Sequence, residues 1–93
     1  MISHKIIKIR KKLDLLDTKL LMVIKNRTNL VNQIIKLKKT KKEIVDKKRI
    51  NFILGKIRKK SIKLKIDPSI TISIWKEMIR SFIRYEYKNF KKK

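Results

Sequence analysis

Arg27, Lys38, Asp46, Arg49 and Glu86 are the side chains best placed for chemistry, because they are charges on or beside stripes that are otherwise apolar. Ile9, Leu13, Leu16, Leu20, Val23, Leu30, Ile34 and Leu37 recur at helical spacing, and Arg27 fills the one gap in that seam. A guanidinium in a packed helix interface carries a large desolvation cost unless it snorkels to water or faces an anion. Lys38 follows eleven residues later, about three whole turns, and so shares the face. Asp46 and Arg49 open the next helical stretch. If that stretch folds back on the end of the first, Arg27, Lys38 and Arg49 come near one another. Three cations around one cavity repel unless an anion lies between them. The pattern therefore fits a small ligand bearing carboxylates or phosphate. The competing reading is solvated surface charge, which most lysines of this chain must be.

Glu86 follows Trp75, Ile79 and Phe82 at helical spacing, so its carboxyl points along a mostly apolar face. Burial of such a group favours its protonated, hydrogen-bond-donating form, and nearby cations favour the other. The plainer alternative is an exposed glutamate near a fraying end. Arg10 lies seventeen residues before Arg27, which turns it about 100° off that face. It cannot reach the same cavity from the same helix, but in a dimer with long helices side by side it could reach the partner's. The sequence has no Gly-rich phosphate loop and no Ser-His-Asp arrangement. With no cysteine and the single histidine His4, neither a thiolate metal site nor zinc is expected. Catalysis by these parts would rest on electrostatics and positioning.

The elements that must hold these residues are helices. The period runs from about residue 5 to 39 without proline or glycine, a span of roughly 50 Å at 1.5 Å per residue. A 93-residue chain builds one small domain and cannot cover so long a helix, so a homodimer with a shared core is expected. The like-charged run Lys38 to Lys42 should end the helix in a short loop. Asp46 is a good N-cap for a second helix over 46–64, with Ile50, Ile53, Leu54 and Ile57 behind it. Gly55 inside it suggests close packing. Asp67-Pro68-Ser69 is the clearest turn signal and opens a third helix over 69–90. The tail Lys91-Lys92-Lys93 should fray.

The formal net charge is +22, from 29 Lys+Arg against 7 Asp+Glu. Such a balance raises nucleic acid or an anionic membrane as partner. Lysine outnumbers arginine, is spread along the chain, and alanine is absent, which reads as compositional drift more than a selected basic surface. Arginines for base-edge contacts are few, and Tyr85, Tyr87 and Phe90 have only scattered basic neighbours, so no specific nucleic acid is expected. The apolar stripes are needed for packing, which argues against a membrane-lying helix, and without a signal-peptide pattern the cytoplasm is the expected location.

In order and spacing the chain resembles the helical class of chorismate mutases over nearly its whole length. Ile9-Arg10-Lys11-Lys12-Leu13-Asp14-Leu15-Leu16-Asp17 is similar to the family's opening. Asn26-Arg27 before Leu30-Val31, Lys36-Leu37-Lys38, Asp46-Lys47-Lys48-Arg49 and Ile66-Asp67-Pro68 follow its later motifs. The resemblance implies an all-α, three-helix, intertwined homodimer that rearranges chorismate to prephenate without cofactor. Each site would take Arg27, Lys38, Asp46, Arg49 and Glu86 from one chain and Arg10 from the other. Arg10 and Arg27 would clamp the substrate carboxylates, and Lys38 would meet a carboxylate and the breaking ether oxygen. Asp46 and Arg49 would orient the ring side, with Ile34, Ile53, Ile79 and Ile83 as walls.

Three positions depart from the family pattern. Ile50 stands where a hydroxyl-binding glutamate is common, Phe82 where serine is common, and Glu86 where many members have glutamine. A glutamate there must be protonated to donate to the ether oxygen, which implies activity rising toward acid pH. Apolar Ile50 and Phe82 resemble the related isochorismate-pyruvate lyases, which form salicylate and pyruvate, whereas Glu86 argues the other way. A non-catalytic basic helical dimer that binds nucleic acid is the alternative of another class.

Overall fold

A computed structural model describes residues 3–91, so Lys92 and Lys93 of the expected frayed tail lie outside the described residues. Three helices and no strand are found among them: α1 His4–Leu37, α2 Lys47–Lys63 and α3 Pro68–Asn89, with a single 3-10 turn at Lys41–Glu43. Each helix end lies within two residues of the sequence-based expectation, and all but the end of α3 have a local cause.

Ser3 caps the start of α1 by accepting the Ile6 N–H at 3.2 Å. The helix stops at Leu37, two residues before the expected end, because the Glu43 carboxylate captures the next donors. Its Oε2 accepts the Lys39 N–H at 2.6 Å and the Thr40 N–H at 2.8 Å. These bonds, Thr40 first, hold the Glu43 carboxyl below its ordinary range. Asp46 then caps α2, its Oδ1 accepting the Arg49 N–H at 3.0 Å.

The turn from α2 to α3 is a Schellman motif built on lysine. Lys65 N–H donates to Ile62 O at 3.1 Å and Ile66 N–H to Ser61 O at 2.8 Å. This requires Lys65 to sit at φ 59, a left-handed conformation that glycine adopts more cheaply. Asp67 caps α3 by accepting the Ser69 N–H at 2.9 Å, which lowers the Asp67 carboxyl from its ordinary value, and Pro68 begins the helix.

The chain divides into two compact units, Met1–Leu30 and Val31–Lys93. In the first, every described residue from Ser3 to Asn26 is exposed, including the stripe residues Leu16 at 57% and Leu20 at 56%. In the second, α2 packs on α3. Ser61, buried on α2, donates to Ile57 O at 2.6 Å and shares a 2.6 Å hydrogen bond with the Thr71 hydroxyl of α3. The buried apolar residues among those described are Ile35 and Ile44, and around them the inner faces of α2 and α3 are half-buried. Gly55 does not mark close packing, because a Cβ built there meets nothing within 4 Å. No helix among the described residues is long and apolar enough to cross a membrane.

Candidate anion-binding site

Lys38 and Glu86 are brought together across 48 positions of sequence. Lys38 follows the last turn of α1 and Glu86 lies in the last turn of α3. Lys38 Nζ donates to Glu86 Oε1 at 2.9 Å, with the two side chains only 20% and 11% exposed. A charge-assisted bond of this length in a half-dry setting is stronger than one between neutral groups. It also answers the question left open by spacing alone. Glu86 is buried and faces a cation; it is not an exposed residue at a fraying end.

A second bond braces the same two elements. Tyr85 donates its hydroxyl to Asn32 Oδ1 at 2.7 Å, one residue before Glu86 on α3 and six before Lys38 on the first chain segment. The Tyr85 ring meets Phe82 edge-on with centroids 6.4 Å apart. Sequence reasoning did not reach Asn32 and weighed Tyr85 only as an aromatic for nucleic-acid stacking, since an asparagine and a tyrosine on mixed helical faces give no periodic signal.

Beside the ion pair lies an open depression of about 470 Å³. Lys38 and Asp46, two of the expected site residues, line it together with Lys42, Lys47 and Lys48. Arg49, expected in the cation cluster, is exposed instead and carries its guanidinium 5.4 Å from the ring centroid of Phe52. Asp46 is exposed and occupied as the cap of α2. The three extra lysines were hidden in the sequence by the uniform lysine background.

Of the residues expected as pocket walls, Ile50, Ile53, Ile79, Phe82 and Ile83 are half-buried on α2 and α3, whereas Ile34 is exposed at 47%. Arg10 and Arg27 belong to the first unit, where Arg10 is exposed and Arg27 half-buried on α1. No group of three or more His, Cys, Asp or Glu side chains among the described residues is arranged to hold a metal ion.

Within the second unit, then, a lysine ammonium and a carboxyl group sit at the edge of a cationic depression. Such a pair can bind an anionic oxygen and either donate to or accept from a neighbouring atom. No curated protein and no solved structure gives a match to this chain. A protein-family profile does, over residues 9–87, and its description is chorismate mutase type II.

Proposed function

Because this chain belongs to the chorismate mutase type II family, isomerases that need no cofactor, we propose that it converts chorismate to prephenate by electrostatic positioning alone. The observation that carries the mechanism is the buried Lys38–Glu86 pair at 2.9 Å. In this reading the substrate dianion takes over Lys38 from Glu86, and the freed carboxyl takes up a proton from solvent and donates it as a hydrogen bond to the ether oxygen. Negative charge develops on that oxygen as the carbon–oxygen bond breaks and the carbon–carbon bond forms. A fixed donor aimed at such an atom lowers the barrier more than it stabilises the ground state.

Arg27 joins Lys38 and Glu86 as a catalytic residue in this proposal, by the family pattern. Arg10, supplied by the partner of a homodimer, holds a carboxylate, while Asp46 and Arg49 orient the ring. Ile34, Ile50, Ile53, Ile79, Phe82 and Ile83 form the wall. The exposed apolar stripe of the first unit supports the homodimer, since two such stripes removed from water would stabilise it. The cytoplasm is the proposed location.

The half-buried apolar side chains Ile50 and Phe82 favour a second reading, isochorismate-pyruvate lyase, because neither can hydrogen-bond a substrate hydroxyl. One experiment separates the two. Purified protein is given chorismate or isochorismate at pH 5 and pH 7.5, and products are resolved by chromatography. Prephenate from chorismate, formed faster at pH 5 and reduced about 10²- to 10³-fold in Lys38→Ala, is the expected result. Glu86→Gln, which donates without needing a proton, should flatten the pH profile. Salicylate and pyruvate from isochorismate would move the assignment to the lyase. Turnover of neither would sink both readings and bring the basic surface forward as a nucleic-acid site. A wild-type profile that is flat between pH 5 and 8 would remove the protonated role of Glu86.

A further inference from the structure

We propose that Lys42, Lys47 and Lys48 form a cationic funnel that draws a dianionic ring acid onto Lys38, an inference that rests on the mutase reading above. They share the depression of about 470 Å³ with Lys38 and Asp46, a volume in the range that holds a small cyclic diacid. Two carboxylates, Glu43 and Asp46, line the depression as well. Glu43 accepts the Lys39 and Thr40 N–H groups, and Asp46 accepts the Arg49 N–H. Lys38 is held by Glu86, and neither ion pair among the described residues involves Lys42, Lys47 or Lys48. Lys42, Lys47 and Lys48 outnumber the two carboxylates that share the lining, so the mouth of the depression keeps a net positive charge.

Their placement is also locally unfavourable. Lys47 and Lys48 stand in the first turn of α2, where cations oppose the positive end of the helix dipole and the capping Asp46 is the one carboxylate at that end. Compositional drift toward lysine would put cations anywhere on α2, and Lys56, Lys59 and Lys63 further along it do not line the depression. An anion bound at the mouth would relieve the repulsion among the three lysines and between them and the helix end. Because charge acts over roughly 10 Å at 0.1 M salt, the funnel works on approach and on affinity, and leaves the chemical step to Lys38 and Glu86.

The test compares two triple variants with equal loss of charge. K42Q/K47Q/K48Q empties the funnel, and K56Q/K59Q/K63Q removes three lysines elsewhere on the same unit. At low salt the funnel variant should lose about tenfold in kcat/KM through KM, with kcat unchanged and the dependence on ionic strength flattened. The control should change less than about twofold. Equal effects in both variants, or none in either, would overturn the proposal. A parallel titration with isophthalate, a stable ring dicarboxylate, reads affinity without turnover. If the wild type converts neither chorismate nor isochorismate, the mutase reading fails, and isophthalate still decides the funnel by a selective weakening in the first variant. Should that variant lose helical signal, K42Q alone, outside α2, carries the same comparison at about a third of the effect on a logarithmic scale.

Discussion

Residues 3–30 and 31–91 draw on the same restricted alphabet of isoleucine, leucine and lysine, yet they are stabilised in different ways. The first is one stretch of amphipathic helix whose apolar residues are exposed from Ile6 to Ile24. The second locks its helices together with the Ser61–Thr71, Asn32–Tyr85 and Lys38–Glu86 bonds. The contrast shows what an amphipathic pattern does and does not supply. It specifies a helix and a face, but a unique arrangement comes from polar groups that must find one partner when water is removed. In the first region the apolar face is exposed from Ile6 to Ile24, so its stability depends on what covers the stripe.

The most severe way to break the contrast is to charge that stripe. Leu16→Glu together with Leu20→Glu should abolish self-association. Two leucines from each of two chains, at about 2 kcal/mol apiece, amount to about 8 kcal/mol of burial lost. Sedimentation should show monomers, and activity should fall at least in proportion. A variant that sediments like the wild type would show that the stripe is not covered by a second copy.

A gentler comparison uses one motif in both regions. Thr28 and Ser61 each donate their hydroxyl to the carbonyl four residues back, at 2.9 and 2.6 Å. Only Ser61 is buried and also bonded to another helix. Ser61→Ala should cost about 1–2 kcal/mol in urea denaturation, since it leaves Thr71 without that partner, whereas Thr28→Ala should stay within about 0.5 kcal/mol. Equal costs would mean that the two regions do not differ in the way their contacts suggest.

Backbone strain provides a smaller handle, and a gain. Lys65→Gly should stabilise the turn by about 1 kcal/mol, read as a rise in the urea midpoint at unchanged slope, because the left-handed position no longer opposes a Cβ. The smallest effect concerns acid. Glu43 and Asp67 have carboxyls held below their ordinary values of 4.5 and 3.8, so the contribution of each is fully present above that value. It is lost as pH falls through the lower folded value. Chemical-shift changes in the amides of Thr40 and Ser69 should therefore appear below about pH 4 before the helices melt. No such change before global unfolding would mean that these caps do not open on their own.

Much of the fold was legible in advance. Asp46 and Asp67-Pro68 marked helix starts because capping is local and depends on residue type. The long period from Lys5 was equally plain, because nothing interrupts it. The site was legible in parts. Lys38 and Glu86 stood out as charges on or beside apolar stripes, and their pairing followed once the helices were packed. Lys42, Lys47 and Lys48 did not stand out, since a lysine matters here only by which cavity it lines, and that is a tertiary property. Gly55 misled, because a glycine in a helix signals close approach only when another element is there to approach.

The run Leu20-Leu21-Met22-Val23-Ile24 has a consequence before folding is finished. Five consecutive apolar residues with no charge among them are the kind of segment that sticks to its own kind when a nascent chain emerges, and in the folded chain they are still exposed. Lys19 and Lys25 stand immediately on either side of it. Charges in those two places act as gatekeepers, because stacking such segments side by side would also stack like ammonium groups. Some of the lysine surplus thereby serves the solubility of the newly made chain, and removing Lys19 and Lys25 should lower the yield of soluble protein while leaving the folded structure as it is.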